Sequence, residues 1–77
     1  MVGLREQNKA LRREAILDAT LELLGEHEPA EISTSQIAAL ANVSSATVFN
    51  LIGTREELLI ALGSRVIHEL LESLSEL

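Results

Sequence analysis

The chain has 77 residues, 47% of them hydrophobic, with 12 acidic residues, 6 basic ones and a formal net charge of -6. That length suits one small domain with a single core, and the apolar fraction excludes a disordered acidic tail. The absence of Cys excludes a disulfide staple and a thiolate metal site. The opening MVGLREQNKALRRE lacks the apolar run of a secretory leader, and the longest apolar run, the five residues Leu58 to Leu62, cannot span a membrane; a cytoplasmic protein is expected.

Pro29 and four glycines are the strong breakers, and the rest of the chain favours helix. A disordered basic arm over about residues 1–8 is expected before the first helix, which is expected from about Lys9 to Leu24. Its apolar positions Leu11, Ala15, Ile16, Ala19, Leu23 and Leu24 recur at three- and four-residue spacing and form one face. Gly25 and Pro29 end it. Ser33 opens a second helix, with Gln36 at the spacing of a capping box. Asn42 should stop that helix, because Asn tolerates the left-handed conformation. Ser44 is the next N-cap, and Ser45–Leu51 is a helix of barely two turns with Val48, Leu51 and Ile52 directed inward. Gly53 breaks it. Thr54 caps a fourth helix over about Arg55–Glu76, with Glu57 at the capping-box spacing and Glu56 and Glu57 favourable to the helix dipole. Leu58, Leu59, Leu62, Val66, Ile67, Leu70, Leu71, Leu74 and Leu77 make a wide apolar stripe along it. Its second half reaches beyond any core the chain can supply.

Charge is segregated along the chain. Arg5, Lys9, Arg12 and Arg13 outnumber Glu6 and Glu14 in residues 1–17, whereas residues 18–31 carry five acids and no Lys or Arg. Residues 32–55 contain no acid and only Arg55, and residues 56–77 carry five acids against Arg65. A fold that brings the basic N-terminal residues beside 32–55 would have one non-acidic face. Two short helices joined by a tight turn, with small Ala38 in the first and Val43 as a plug after the turn, form a helix-turn-helix pattern. Thr34, Ser35, Ser44, Ser45, Ala46, Thr47, Phe49 and Asn50 then become candidate outer residues. Hydroxyls and helix N-termini suit phosphates, Asn suits a base edge, and apolar atoms suit thymine methyls. An acid in this stretch would repel phosphate.

The segments RREAILDATLELL (Arg12–Leu24), ISTSQIAALANVS (Ile32–Ser44) and SATVFNLIGTREELL (Ser45–Leu59) resemble the DNA-binding domain of TetR-type transcriptional repressors, over about residues 9–62. The resemblance implies an all-α fold: a three-helix, homeodomain-like helix-turn-helix head over 1–54 and a long fourth helix over 55–77. It implies a ligand-responsive repressor that binds a palindromic double-stranded operator as a homodimer. A further C-terminal domain would hold the small-molecule effector and the dimer contact. Carried over by position, Ser35, Ser45, Ala46 and Phe49 face base edges, and Thr34, Ser44, Thr47, Asn50 and Arg55 hold phosphates. Arg55 stands where the family usually has Lys. Phe49 replaces a usual Tyr, so a phosphate-bonding hydroxyl is missing; Asn42 and Ala46 replace usual glycines, and Leu51 and Ile52 a usual aromatic pair.

Plainer readings stand beside these. Ser44–Thr47 also reads as capping residues, Phe49 as a buried ring, and Arg5, Lys9, Arg12 and Arg13 as a solvated face. His27 and His68 read as surface residues, with no carboxylate partner expected at helical spacing. No metal, cofactor or catalytic arrangement is expected: there is no Cys, no Gly-rich phosphate loop and no Asp-rich calcium loop. The alternative function is a small helical protein-interaction module that uses the Leu-rich fourth helix.

Overall fold

A computed structural model describes residues 3–77 as four α-helices and one 3₁₀ turn, with no strand among them. Helix α1 spans Leu4–Leu24, α2 Thr34–Ala41, α3 Ser45–Leu51 and α4 Arg55–Ser75; the 3₁₀ turn is Pro29–Glu31. The all-α helix-turn-helix head with a long fourth helix is the architecture that the sequence implies.

Each helix start has a local cause. Ser33 and Gln36 form a complete capping box: the Gln36 N–H donates to Ser33 Oγ at 3.1 Å and the Ser33 N–H to Gln36 Oε1 at 2.7 Å. Ser44 Oγ accepts the Thr47 N–H at 3.1 Å to start α3, and Thr54 Oγ1 accepts the Glu57 N–H at 3.3 Å to start α4. Asn42 closes α2 in the left-handed conformation, with φ 60° and ψ 44°. There Val43 N–H donates to the Ala38 carbonyl at 2.9 Å and Asn42 N–H to that of Ala39 at 3.2 Å, the paired bonds of a Schellman motif.

The helical start differs from the expected Lys9. Leu4–Asn8 belong to α1, so most of the expected arm is helix; residues 1 and 2, where that arm begins, lie outside the described residues. The sequence Leu-Arg-Glu-Gln-Asn-Lys contains no Gly or Pro, and nothing in it stops a helix from propagating backwards. The 3₁₀ turn at Pro29 is a second difference: proline at the first position sets a helical φ, and three residues are enough for one tight turn.

The core gathers Ile16, Leu17 and Ala19 of α1, Ile32, Ile37 and Ala38 of α2 and the residues leading into it, Val48 of α3, and Leu58 and Leu62 of α4. Ile32 precedes α2 rather than belonging to it. Helix α1 runs through the middle and touches all three of the others. That central position buries Leu17 and Thr20 in addition to the expected face. Thr20 meets its polar requirement within the helix, since its hydroxyl donates to the Ile16 carbonyl at 2.8 Å. Leu11, expected in the core stripe, is 67% exposed, because every residue from Gly3 to Glu14 precedes the packed half of α1 and is exposed. Arg65 ties α4 back to α1. It donates to Glu14 at 3.2 Å, to Asp18, and to Glu69 on its own helix at 3.4 Å. The hydrogen bond to Asp18 is the main cause that raises the Arg65 pKa above its ordinary value.

Candidate nucleic-acid interface

The turn at Asn42–Val43 fixes α3 against α2 through small and branched side chains. Ala38 is 3% exposed, so α3 can cross close to α2. Val48 is 2% exposed, and Leu51 and Ile52, three and four residues further on, pack on the same core. With about 100° per residue, that inward face turns the other positions outward. Ser45, Ala46, Phe49 and Asn50 are exposed, as are Thr34 and Ser35 at the start of α2. Phe49 is 61% exposed, so it is not the buried ring that its chemistry alone suggests. A large ring held in water on a two-turn helix is available for contact.

Ser44 and Thr47 have work within the chain. Ser44 Oγ caps α3 and lies 2.9 Å from Thr47 Oγ1, and Thr47 is half-buried. Capping leaves the N-terminus of α3 with an ordered hydroxyl pair and its partial positive charge facing outward. Arg55, expected to hold phosphate, is exposed and has partners within the chain. Its Nη1 donates to the Ile32 carbonyl and its Nη2 to the Pro29 carbonyl, so the guanidinium fastens α4 to the 3₁₀ turn. The two carbonyls bracket that turn: that of Pro29 also accepts the Ile32 N–H at 3.3 Å, and such a pair suits the planar fork of an arginine.

A groove of about 310 Å³ runs between the first turns of α1 and one flank of α3. Arg5, Asn8, Lys9 and Arg12 form one wall, and Thr47, Asn50 and Leu51 the other. Arg5, Lys9 and Arg12, read in sequence mainly as a solvated face, have i, i+4, i+7 spacing, which places three cations on one helical face once α1 is extended back to Leu4. The groove thus joins the basic N-terminal residues to the acid-free stretch.

The remaining titratable groups are structural or solvated. His68 does have a carboxylate at helical spacing, contrary to the expectation: its Nε2 lies 3.0 Å from Glu72 Oε1, one turn further along α4. Both side chains are exposed. Among the described residues, no group of three His, Cys, Asp or Glu is placed to hold a metal ion, and no helix is long and apolar enough to cross a membrane.

Residues 16–62 match the family described as bacterial regulatory proteins, tetR family. Over 51 residues the chain is 39% identical to the HTH-type transcriptional regulator BetI of Rhizobium meliloti (strain 1021), a stretch that is 66% of this chain and 25% of that relative. The chain therefore spans about a quarter of the length of the curated relative it matches. No solved structure matches it. The matched stretch runs from the buried half of α1 through the α2–α3 turn to Leu62, and the chain belongs to the tetR family of bacterial regulatory proteins, as a DNA-binding helix-turn-helix domain of a transcription regulator.

Proposed function

We propose that the domain reads double-stranded DNA sequence-specifically by laying α3 in the major groove, as the DNA-reading part of a ligand-responsive, cytoplasmic repressor. The observation that carries this reading is the outward face of the α2–α3 unit. In a chain of net charge -6, Thr34, Ser35, Ser44, Ser45, Ala46, Phe49 and Asn50 are all exposed, and no acid interrupts residues 32–55. Ser35, Ser45, Ala46 and Phe49 meet base edges, through hydroxyl hydrogen bonds and apolar contact with thymine methyls. Thr34, Ser44, Thr47 and Asn50 hold phosphates and set the register. Arg55 contributes its charge to the same face while its terminal nitrogens brace the 3₁₀ turn. The regulator acts as a homodimer on a palindrome, with half-sites about one helical turn, ~34–36 Å, or a multiple apart. A small-molecule effector is sensed outside this domain.

Selection of binding sites from a randomised duplex pool tests the reading. Recovery of a defined half-site, lost in the double variant Ser45→Glu, Asn50→Asp, supports it. Equal recovery by that variant would remove α3 as the reading helix. A second reading rests on the exposed apolar side chains of α4: Ile60, Ile67, Leu70, Leu71 and Leu74 are each at least 59% exposed. On that reading α4 is a protein-binding helix, and partner binding would be insensitive to salt, whereas phosphate contacts give a steep salt dependence.

A further inference from the structure

We infer that the groove between α1 and α3 is a second DNA contact, which takes the phosphodiester backbone beside the bases that α3 reads, with Arg5, Lys9 and Arg12 as its cations. This rests on the proposed reading of α3 and adds to it a separate wall of the interface.

The distribution of cations carries the argument. Of the six basic side chains, Arg65 is held by three carboxylates and Arg55 donates to two backbone carbonyls. Arg5, Lys9 and Arg12 line the groove, and among the described residues none of the three forms an ion pair. Placed at i, i+4 and i+7, they extend over about 10 Å of helix. One strand of B-DNA presents a phosphate every ~3.4 Å of axis, so three cations over that length match a run of about three phosphates. The opposite wall offers Thr47 and Asn50, neutral groups that hydrogen-bond phosphate and sugar oxygens without repelling them. An open groove with no buried polar side chain suits a continuous polyanion held at several points rather than a single small anion. The basic wall precedes residue 16, where the family match begins. It supplies charge to an interface in which Phe49 has no hydroxyl and Arg55 is braced against the fold.

The test is the salt dependence of duplex binding by the whole 77-residue chain, followed by anisotropy of a labelled duplex between 50 and 200 mM salt. Each lost phosphate contact lowers the slope of log K against log salt by about 0.9. Lys9→Gln should lower it by about that amount, and Arg5→Gln, Lys9→Gln, Arg12→Gln together by about 2 to 3, with the preference among duplex sequences retained. Arg13→Gln, the same change of charge on the same helix outside the groove, should lower it much less. Glutamine keeps helix propensity, and an unchanged far-UV spectrum certifies the fold of each variant. Equal slopes for the Lys9 and Arg13 variants, or an unchanged slope in the triple variant, would overturn the groove contact while leaving α3 as the reader. A wild-type chain that binds no duplex at 50 mM salt would overturn the DNA reading itself, and the groove contact with it.

Discussion

The backbone N–H of Val43 donates to the carbonyl of Ala38 at 2.9 Å across a left-handed Asn42. One hydrogen bond thereby sets the direction in which the chain leaves α2 and enters α3. A side chain without the amide of Asn holds this conformation at a cost of about 1–2 kcal/mol. Asn42→Ala should therefore lower stability by about 1 kcal/mol, or ~4–8 °C in a domain of this size. Thermal unfolding followed by circular dichroism measures it, and an unchanged melting temperature would show that the turn tolerates the swap.

Ala38 is buried at the crossing of α2 and α3, while Ala39 beside it is exposed. Ala38→Leu should cost about 1–3 kcal/mol by overpacking and displace α3 enough to weaken duplex binding. Ala39→Leu should change stability by less than about 0.5 kcal/mol. Paired urea titrations would separate the two, and equal costs would contradict the close crossing.

For Arg55 the discriminating change is to lysine, which keeps the charge. A lysine cannot fork to both the Pro29 and the Ile32 carbonyls, and a carbonyl left without its donor costs about 1–3 kcal/mol when buried. We expect Arg55→Lys to destabilise the domain by about 1 kcal/mol. Equal stability in denaturant would mean that only the charge matters there.

Val48 and Phe49 are adjacent and opposite in effect. Val48→Ala removes two methyl groups from the core and should cost about 2 kcal/mol. Phe49→Ala changes a 61% exposed ring and should leave stability within about 0.5 kcal/mol while weakening duplex binding several-fold. Calorimetry and binding isotherms on the two variants check the crossed pattern; a Phe49 variant that binds as well as wild type would take the ring out of the interface.

Arg65 has a pKa raised above an already basic value, chiefly by its hydrogen bond to Asp18. A raised basic group contributes in full below its unfolded pKa and loses that contribution only as pH climbs through the higher folded value. The cost of Arg65→Gln, about 1 kcal/mol for ion pairs to carboxylates that are themselves well exposed, should thus be the same at pH 6 and pH 9. It should shrink in high salt. Chemical denaturation at both pH values, with and without 1 M salt, is the measurement.

Much of the fold could be read from local chemistry. Ser33, Ser44 and Thr54 cap the three helices they were expected to cap, because a cap and its N–H partner are three residues apart and both are visible in a short window. Asn42 ends α2 for the same reason. What escaped depended on distant partners. Leu11 carries the helical period of a core residue, yet the packed half of α1 starts after it. Leu17 and Thr20 are buried because α1 is surrounded, which periodicity on one face does not reveal. The bracing of Arg55 was not legible, since nothing near it in sequence shows that the carbonyls of residues 29 and 32 lie within reach of its guanidinium. At the candidate interface, inward Val48 was evident from spacing. The exposure of Phe49 was left open, and the charge pattern pointed to a basic side beside residues 32–55, whose helical spacing became clear with the start of α1 at Leu4.

The early exposure of α1 has a consequence for its motion. From Leu4 to Arg13 the helix is held chiefly by its own hydrogen bonds, and its anchor is the buried turn from Ile16 to Thr20, beside the Arg65–Glu14 ion pair. A helix secured at one end frays from the other. Protection of its amides against hydrogen exchange should therefore climb steadily from Asn8 towards Thr20, and the cations at positions 5, 9 and 12 sit on the part that opens most readily. Any polyanion they grip would lend that segment rigidity, so that slowed exchange at the start of α1 becomes a signature of occupancy.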